Sequence, residues 1–242
     1  YPLIGDIKVI LAKMNSLIKK KEYNGWNAKI DEWKKLYPLK LPQDDGLHPN
    51  YIIERIYDLT EGKAIITTEV GQHQIWAAQF YKYNSPRQFL SSGGLGTMGY
   101  GLGACIGAQI GMPGKKVINI AGDGSFRMNC NELATAVEYK LPVVIAIFNN
   151  QVLGMVRQWQ ELFYGGRYSS TTLDRATDFV ALAKAYGAIG INVSKRQEVD
   201  DALKTAMESK DTPVVINFEI DKDEKVFPIV PPGAPISELI EE

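Results

Sequence analysis

Cysteine is scarce in this sequence: Cys105 and Cys130 are the two present. Their spacing matches no metal site. Cys105 falls in a stretch rich in Ala and Gly and reads as a small core residue. A reduced, cytoplasmic setting is the default expectation. An excess of charge is also missing. The 27 basic and 28 acidic residues leave a formal net charge of −1, so no overall field points to nucleic acid or to a membrane surface as partner. No apolar run is long enough to span a bilayer, and no secretory signal is expected. Internal repeats and low-complexity segments are absent as well. What is there is a chain of 242 residues, 45% hydrophobic and 23% charged, suited to one large α/β domain or to one domain with appendages. It begins with Tyr1 rather than Met, so the expectation is a chain processed or cut from something longer.

The most informative stretch is 117–150. Residues 117–121 (VINIA) form a short apolar run, as a buried strand requires, and the run ends in Gly122-Asp123-Gly124-Ser125. Residues 131–139 have helical spacing, with Leu133, Ala136 and Val137 on one face. Leu141-Pro142 breaks that helix, and a second β-branched run at 143–148 ends in Asn149-Asn150. Strand, helix, strand is a βαβ unit with parallel strands. Asp123 and Asn150 therefore both stand at carboxyl ends of strands, where open α/β sheets bind ligands. A carboxylate and an amide oxygen are hard ligands suited to Mg²⁺ or Ca²⁺, and Mg²⁺ commonly completes its shell with substrate phosphates. Gly124 and Ser125 offer backbone N–H groups near a helix start to such a phosphate. Gly122 and Gly124 allow a sharp turn and close approach. The pattern implies a metal-bound diphosphate.

The rest of the chain fits the same plan. Residues 6–20 and 26–36 have helical spacing, and 34–43, with Pro38 and Pro42, reads as a linker. A helix is predicted from Pro49 to Leu59. Strands are predicted at 64–68, 88–90, 188–193 and 214–220, besides the two already named, and helices at 75–81, 101–110, 151–160, 179–186 and 199–207. Asp178 is placed to cap the helix that begins at Phe179. The loop 163–172 is polar and long enough to be mobile. The tail after Lys225 carries Pro228, Pro231, Pro232 and Pro235, so it is expected to be irregular for most of its length, lying over the surface as a lid or disordered. About six strands interleaved with helices predict a doubly wound, six-stranded parallel sheet with helices on both faces. The domain expectation is a preceding-domain end and linker at 1–45, a ligand-binding domain at 46–225 and a tail at 226–242.

A rival reading comes from Gly94-Leu95-Gly96-Thr97-Met98-Gly99, which matches G-x-G-x-x-G. A dinucleotide module needs a firm strand before these glycines and an acid at the end of the next strand. Residues 88–90 make a poor strand. Asp123 does end the next one, but its flanking glycines open a second phosphate-type loop that this reading leaves without a use.

The Gly122-Asp123-Gly124 turn followed by Asn149-Asn150 resembles the GDG…NN signature of thiamine-diphosphate enzymes. Within that family the chain is most similar to the acetohydroxyacid synthase (acetolactate synthase) catalytic subunits. The matching stretches are GQHQIWAAQFY at 71–81, SGGLGTMGYGLGACIGAQ at 92–109, GDGSFRMNCNELATAVEYKLPV at 122–143 and NNQVLGMVRQWQELFYGGRYS at 149–169. The likeness runs from Pro49 to about Val230, and the last stretch is the most discriminating. It implies a thiamine-diphosphate-binding fold with Mg²⁺ held by Asp123, Asn150 and the carbonyl of Val152. It implies cofactor contacts from Gln72, His73, Gly96, Gly122, Gly124, Ser125 and Gly154. Met98 is implied as an apolar wedge beneath the thiazolium, Met155 and Val156 as lining of the reaction site, and Trp159 as the residue shaping the second-substrate pocket. Met98, Met155 and Trp159 are thus the expected catalytic set.

The implied reaction is decarboxylation of pyruvate and transfer of its two-carbon unit to a second 2-ketoacid, pyruvate or 2-ketobutyrate, giving precursors of valine, leucine and isoleucine. Pyruvate oxidase, glyoxylate carboligase or a decarboxylase is the alternative within the family. In the family a glutamate on an N-terminal domain of a partner subunit starts the chemistry, and a central domain holds FAD. Residues 1–41 look like the end of that central domain plus linker, so the piece alone is expected to be inactive. The resemblance also implies a homodimer or tetramer formed through the full-length chain, with a regulatory small subunit possible.

Overall fold

The computed structural model describes residues 1–173 and 177–241; Glu242, the last residue of the expected tail, lies outside them. The chain divides into two compact units, Tyr1–Lys40 and Leu41–Glu242. The first holds two helices, α1 (Ile7–Leu17), capped by the Asp6 carboxylate, and α2 (Asn24–Leu36). Neither has a buried residue. Trp26 and Trp33, two turns apart on α2, meet edge to face at 5.5 Å.

The second unit is built on six strands: β1 (Ile65–Thr68), β2 (Phe89–Leu90), β3 (Val117–Gly122), β4 (Val144–Asn149), β5 (Ile189–Val193) and β6 (Val214–Glu219). Their order is β2-β1-β3-β4-β6-β5, and every pairing is parallel. The side-chain period of two sorts each central strand between two cores. Ile118 and Ile120 of β3, Val144, Ala146 and Phe148 of β4 and Ile216 of β6 face one core. There they meet α3 (Pro49–Leu59), α4 (Gln72–Phe80) and α10 (Val199–Glu208). Val117, Ala121, Ile145, Ile147 and Val215 face the other. That side is covered by α5 (Tyr100–Gly111), α7 (Leu133–Glu138) and α9 (Phe179–Tyr186). Burial on both faces is why these strands read as continuous apolar runs rather than as alternating ones. The expected six-stranded, doubly wound parallel sheet with helices on both faces is the observed fold.

Three local features depart from the pattern read in the sequence. The helix expected from Gln151 begins at Gly154 as α8 (Gly154–Tyr164). Gln151 takes a left-handed φ of 58°, and Val152 forms an antiparallel bridge to Thr172. A short helix, α6 (Asp123–Phe126), follows β3 directly, and the helix expected from Asn131 opens with a 3₁₀ turn, Cys130–Glu132. The tail begins as a strap. The carbonyls of Glu224, Lys225, Val226 and Phe227 accept from Gln72, Trp76, Gln158 and Gln79 in turn, and the N–H of Val226 donates back to Gln158. No described helix is long and apolar enough to cross a membrane.

Candidate functional site

The carboxyl ends of β1, β3 and β4 point the same way, and the turns that leave them wall a single cleft. Val70, Gly71, Gln72, His73 and Trp76 enter from the β1–α4 corner, and Met98 from the glycine loop before α5. Gly122, Asp123, Gly124 and Ser125 enter after β3, and Phe148 and Asn150 from the end of β4. Val152, Leu153, Gly154, Met155 and Val156 close it from the start of α8.

Asp123 is 2% exposed, and its Oδ2 is buried without a hydrogen-bond partner. Burial pushes its carboxyl up to about 6, against the pull of the backbone N–H groups of Gly124 and Gln151 and of the Arg127 charge. An orphaned buried carboxylate oxygen is costly and calls for a cation. Asn150, also buried, accepts the Val152 N–H at 3.2 Å, which fixes its amide oxygen beside the Val152 backbone. The left-handed Gln151 makes this tight return possible, at a cost of about 1–2 kcal/mol for a residue with a Cβ. The return is held from outside: Leu153 N–H donates to Thr171 O at 2.7 Å and Leu173 N–H to Gln151 O at 2.9 Å.

Among the described residues no group of three His, Cys, Asp or Glu is placed to hold a metal. One carboxylate, one amide oxygen and one backbone carbonyl remain. That hard, incomplete donor set fits a Mg²⁺ ion whose other ligands come from a diphosphate.

His73 is buried, and burial holds its imidazole neutral, with the pKa pushed down to about 3. The ring is bonded to the backbone carbonyl of Glu69, while Nε2 is buried and unpartnered. Its Nδ1–Cε1 edge is set against a glycine: a Cβ on Gly122 would stand 2.7 Å from Nδ1 and 2.8 Å from Cε1. Gly154 is fixed by the same crowding, since a Cβ there would meet Gln72 Oε1 at 1.9 Å and Asn150 Nδ2 at 2.8 Å. The Gln72 side chain is committed to the protein: its amide donates to Gln158 Oε1 at 2.9 Å and to Glu224 O at 2.8 Å.

Twelve of the residues singled out in the sequence thus share one cleft: Gln72, His73, Met98, Gly122, Asp123, Gly124, Ser125, Asn150, Val152, Gly154, Met155 and Val156. Gly96 and Trp159 stand outside its lining. Gly96 is in the left-handed region with φ 63°, its Cβ position nearest to Val70. Trp159 is 40% exposed, which excludes a core tryptophan, and its ring meets Phe163 edge to face at 5.9 Å. Trp76 and Phe148 line the cleft without having been marked as site residues. Their sequence signal was that of any apolar residue in a helix or strand.

The G-x-G-x-x-G loop does not present its helix start to solvent. The Glu69 carboxylate occupies it, accepting from Gly99 N–H at 2.7 Å and Leu102 N–H at 3.0 Å. The place a dinucleotide pyrophosphate would take is filled by the protein's own anion.

A doubly wound parallel sheet with an orphaned carboxylate, an oriented amide and glycine turns at its carboxyl edge places the chain among α/β proteins whose ligand cleft lies at the carboxyl ends of the strands. Residues 69–218 match the family described as thiamine pyrophosphate enzyme, C-terminal TPP binding domain, and the chain belongs to that family. It is 42% identical over 250 residues to an acetolactate synthase of Mycobacterium bovis, covering 98% of this chain and 40% of that protein. It is 40% identical over 245 residues to the acetolactate synthase large subunit of Buchnera aphidicola (98% and 43%). It is 38% identical over 248 residues to the acetolactate synthase isozyme 3 large subunit of Escherichia coli (98% and 43%). The chain therefore spans about two fifths of the length of these relatives.

Proposed function

We propose that this chain is the thiamine-diphosphate- and Mg²⁺-binding part of an acetolactate synthase, which condenses pyruvate with pyruvate or 2-ketobutyrate on the way to the branched-chain amino acids. The observation that carries the reading is the buried, unpartnered Oδ2 of Asp123 beside Asn150 and Val152. The relatives named above favour this reaction over an oxidase, a carboligase for glyoxylate or a simple decarboxylase.

Thiamine diphosphate, when bound, supplies the carbon nucleophile on which a 2-ketoacid loses CO₂ and passes on its two-carbon unit. Asp123, the Asn150 amide oxygen and the Val152 carbonyl would hold Mg²⁺. Gly124 and Ser125 direct N–H groups at the diphosphate, and His73 contributes a neutral ring that packs without adding charge. Met98 would give the thiazolium an apolar support, Met155 and Val156 would exclude water, and Trp159 would shape the entry of the second ketoacid. Among the described residues that line the cleft, Asp123 is the one carboxyl, and it is committed to the metal. The chain alone therefore binds cofactor without turnover. The glutamate, the FAD site and any regulatory subunit belong to other parts of the assembled enzyme, a homodimer or tetramer.

Titration calorimetry tests the core of this. Thiamine diphosphate is expected to bind in the presence of Mg²⁺, and Asp123→Ala is expected to weaken binding by about a hundredfold or more, as loss of a charged ligand does. Equal affinity in parent and variant would remove Asp123 from the metal shell.

A further inference from the structure

Glu69 follows β1 and is fully buried. Burial raises its carboxyl, as is usual for a carboxylate taken out of water. Yet three donors converge on it. Oε2 accepts the Gly99 N–H at 2.7 Å and the Ser125 hydroxyl at 3.2 Å, and Oε1 accepts the Leu102 N–H at 3.0 Å. Two of these donors flank the start of α5, a helix of 12 residues whose amino end favours an anion. A buried charge is tolerated only where such bonds repay its desolvation.

The provenance of the donors matters more than their number. None comes from the strands, and all three lie in the turns or first helical residues that leave the carboxyl edge of the sheet. Gly99 immediately follows Met98, and Leu102 opens the helix behind it. Ser125 lies two residues beyond Asp123, and its hydroxyl oxygen also accepts the Val70 N–H at 3.3 Å. One carboxylate thus joins the loop carrying Met98 to the turn carrying Asp123. The geometry also excludes a neutral substitute: every contact is a donor aimed at an oxygen, so an amide nitrogen in either position would face an N–H or O–H.

We infer that Glu69 is a positioning residue, whose carboxylate sets Met98 and Ser125 in register with each other across the cleft. It touches no cofactor and acts through the two loops it joins.

Hydrogen exchange on the whole chain tests this without any ligand. Glu69→Gln is expected to speed amide exchange by about tenfold or more in residues 98–102 and 124–128 together, while β4 and β6 keep their protection. Loosening of one segment alone, or of neither, overturns the inference. Glu69→Asp, which keeps the charge on a shorter arm, is expected to recover part of the protection in both; recovery no better than Gln overturns it. Should Glu69→Gln fail to fold, Ser125→Ala serves. It is expected to speed exchange at Gly99 and Leu102 by about threefold although it touches neither, and no change there overturns the inference.

A second arm rests on the function proposed above. In Glu69→Gln the Kd values for thiamine diphosphate and for plain diphosphate, each with Mg²⁺, are both expected to rise, the first by about tenfold and the second by about threefold, because the Ser125 turn serves the diphosphate and the Met98 loop the rest of the ligand. Unchanged affinity for both would sink the positioning role. If the parent chain binds neither ligand, the functional reading fails, and the exchange arm still decides Glu69.

Discussion

Two glycine turns leave the same edge of the same sheet and meet opposite fates. The turn before α5, Gly94 to Gly99, has its helix start filled by Glu69, and Gly101 is packed against the β1 backbone with no room for a side chain. The turn after β3, Gly122 to Gly124, keeps a buried carboxylate oxygen with nothing to bond. Both look like phosphate-binding loops in the sequence. The difference lies in whether the protein supplies the counter-charge itself. A satisfied anion at a helix start is scaffold, and an unsatisfied one at a strand end is a site.

The comparison can be broken most severely at the closed turn. In Gly101→Ala the new Cβ would stand 2.7 Å from the backbone atoms of Glu69 and Thr68 and 2.4 Å from Asn119 Oδ1. A loss of about 3 kcal/mol or more is expected, read as a collapse of the denaturant midpoint or as failure to fold. A near-neutral variant would show that this turn has slack.

The open turn is expected to behave in the reverse sense. Asp123 has a folded-state pKa of about 6, above its ordinary 3.8. The cost of its charge is therefore fully present above pH 6 and is relieved as pH falls through 6 towards 4. In metal-free chain, Asp123→Asn should raise stability by up to about 3 kcal/mol at pH 7 and by almost nothing near pH 4. Melting curves with a chelator at the two pH values check this. Destabilisation at pH 7 would mean the carboxylate has partners of its own, and the contrast between the turns would dissolve.

The smallest effect sharpens the point that space rather than residue type governs these glycines. Gly103, two residues past Gly101 on α5, has nothing within 4 Å of a Cβ and is exposed. Gly103→Ala should stabilise by about 0.5–1 kcal/mol, a small upward shift of the melting temperature.

The sheet was readable because its strands are buried on both faces. Runs such as 117–121 and 143–148 have no polar side to blur them, and each lies within a residue or so of its observed strand. The GDG…NN pairing was readable because its chemistry needs a strand end on each side of one crossover. The start of α8 was not. Gln151 gives no local sign of a left-handed backbone, and what holds it there is the bridge from its neighbour Val152 to Thr172, twenty residues further on in a loop expected only to move. Glu69 directly follows the strand predicted at 64–68, so its place at a strand end was legible. Its task was not, because that depends on which amides and which hydroxyl the fold brings to it from 30 to 56 positions further on.

The strap at 224–227 has a consequence of another kind. Gln72, Trp76, Gln158 and Gln79 take hold of four consecutive carbonyls, and Gln158 also accepts one N–H. This is how a receptor grips a peptide, by its main chain rather than by its side chains. Such a grip is indifferent to the identity of most residues gripped and strict about their register. The start of the tail can therefore drift in sequence, while deletion of one residue just before it would move each carbonyl to the wrong partner at once and unseat Gln72 beside Asn150.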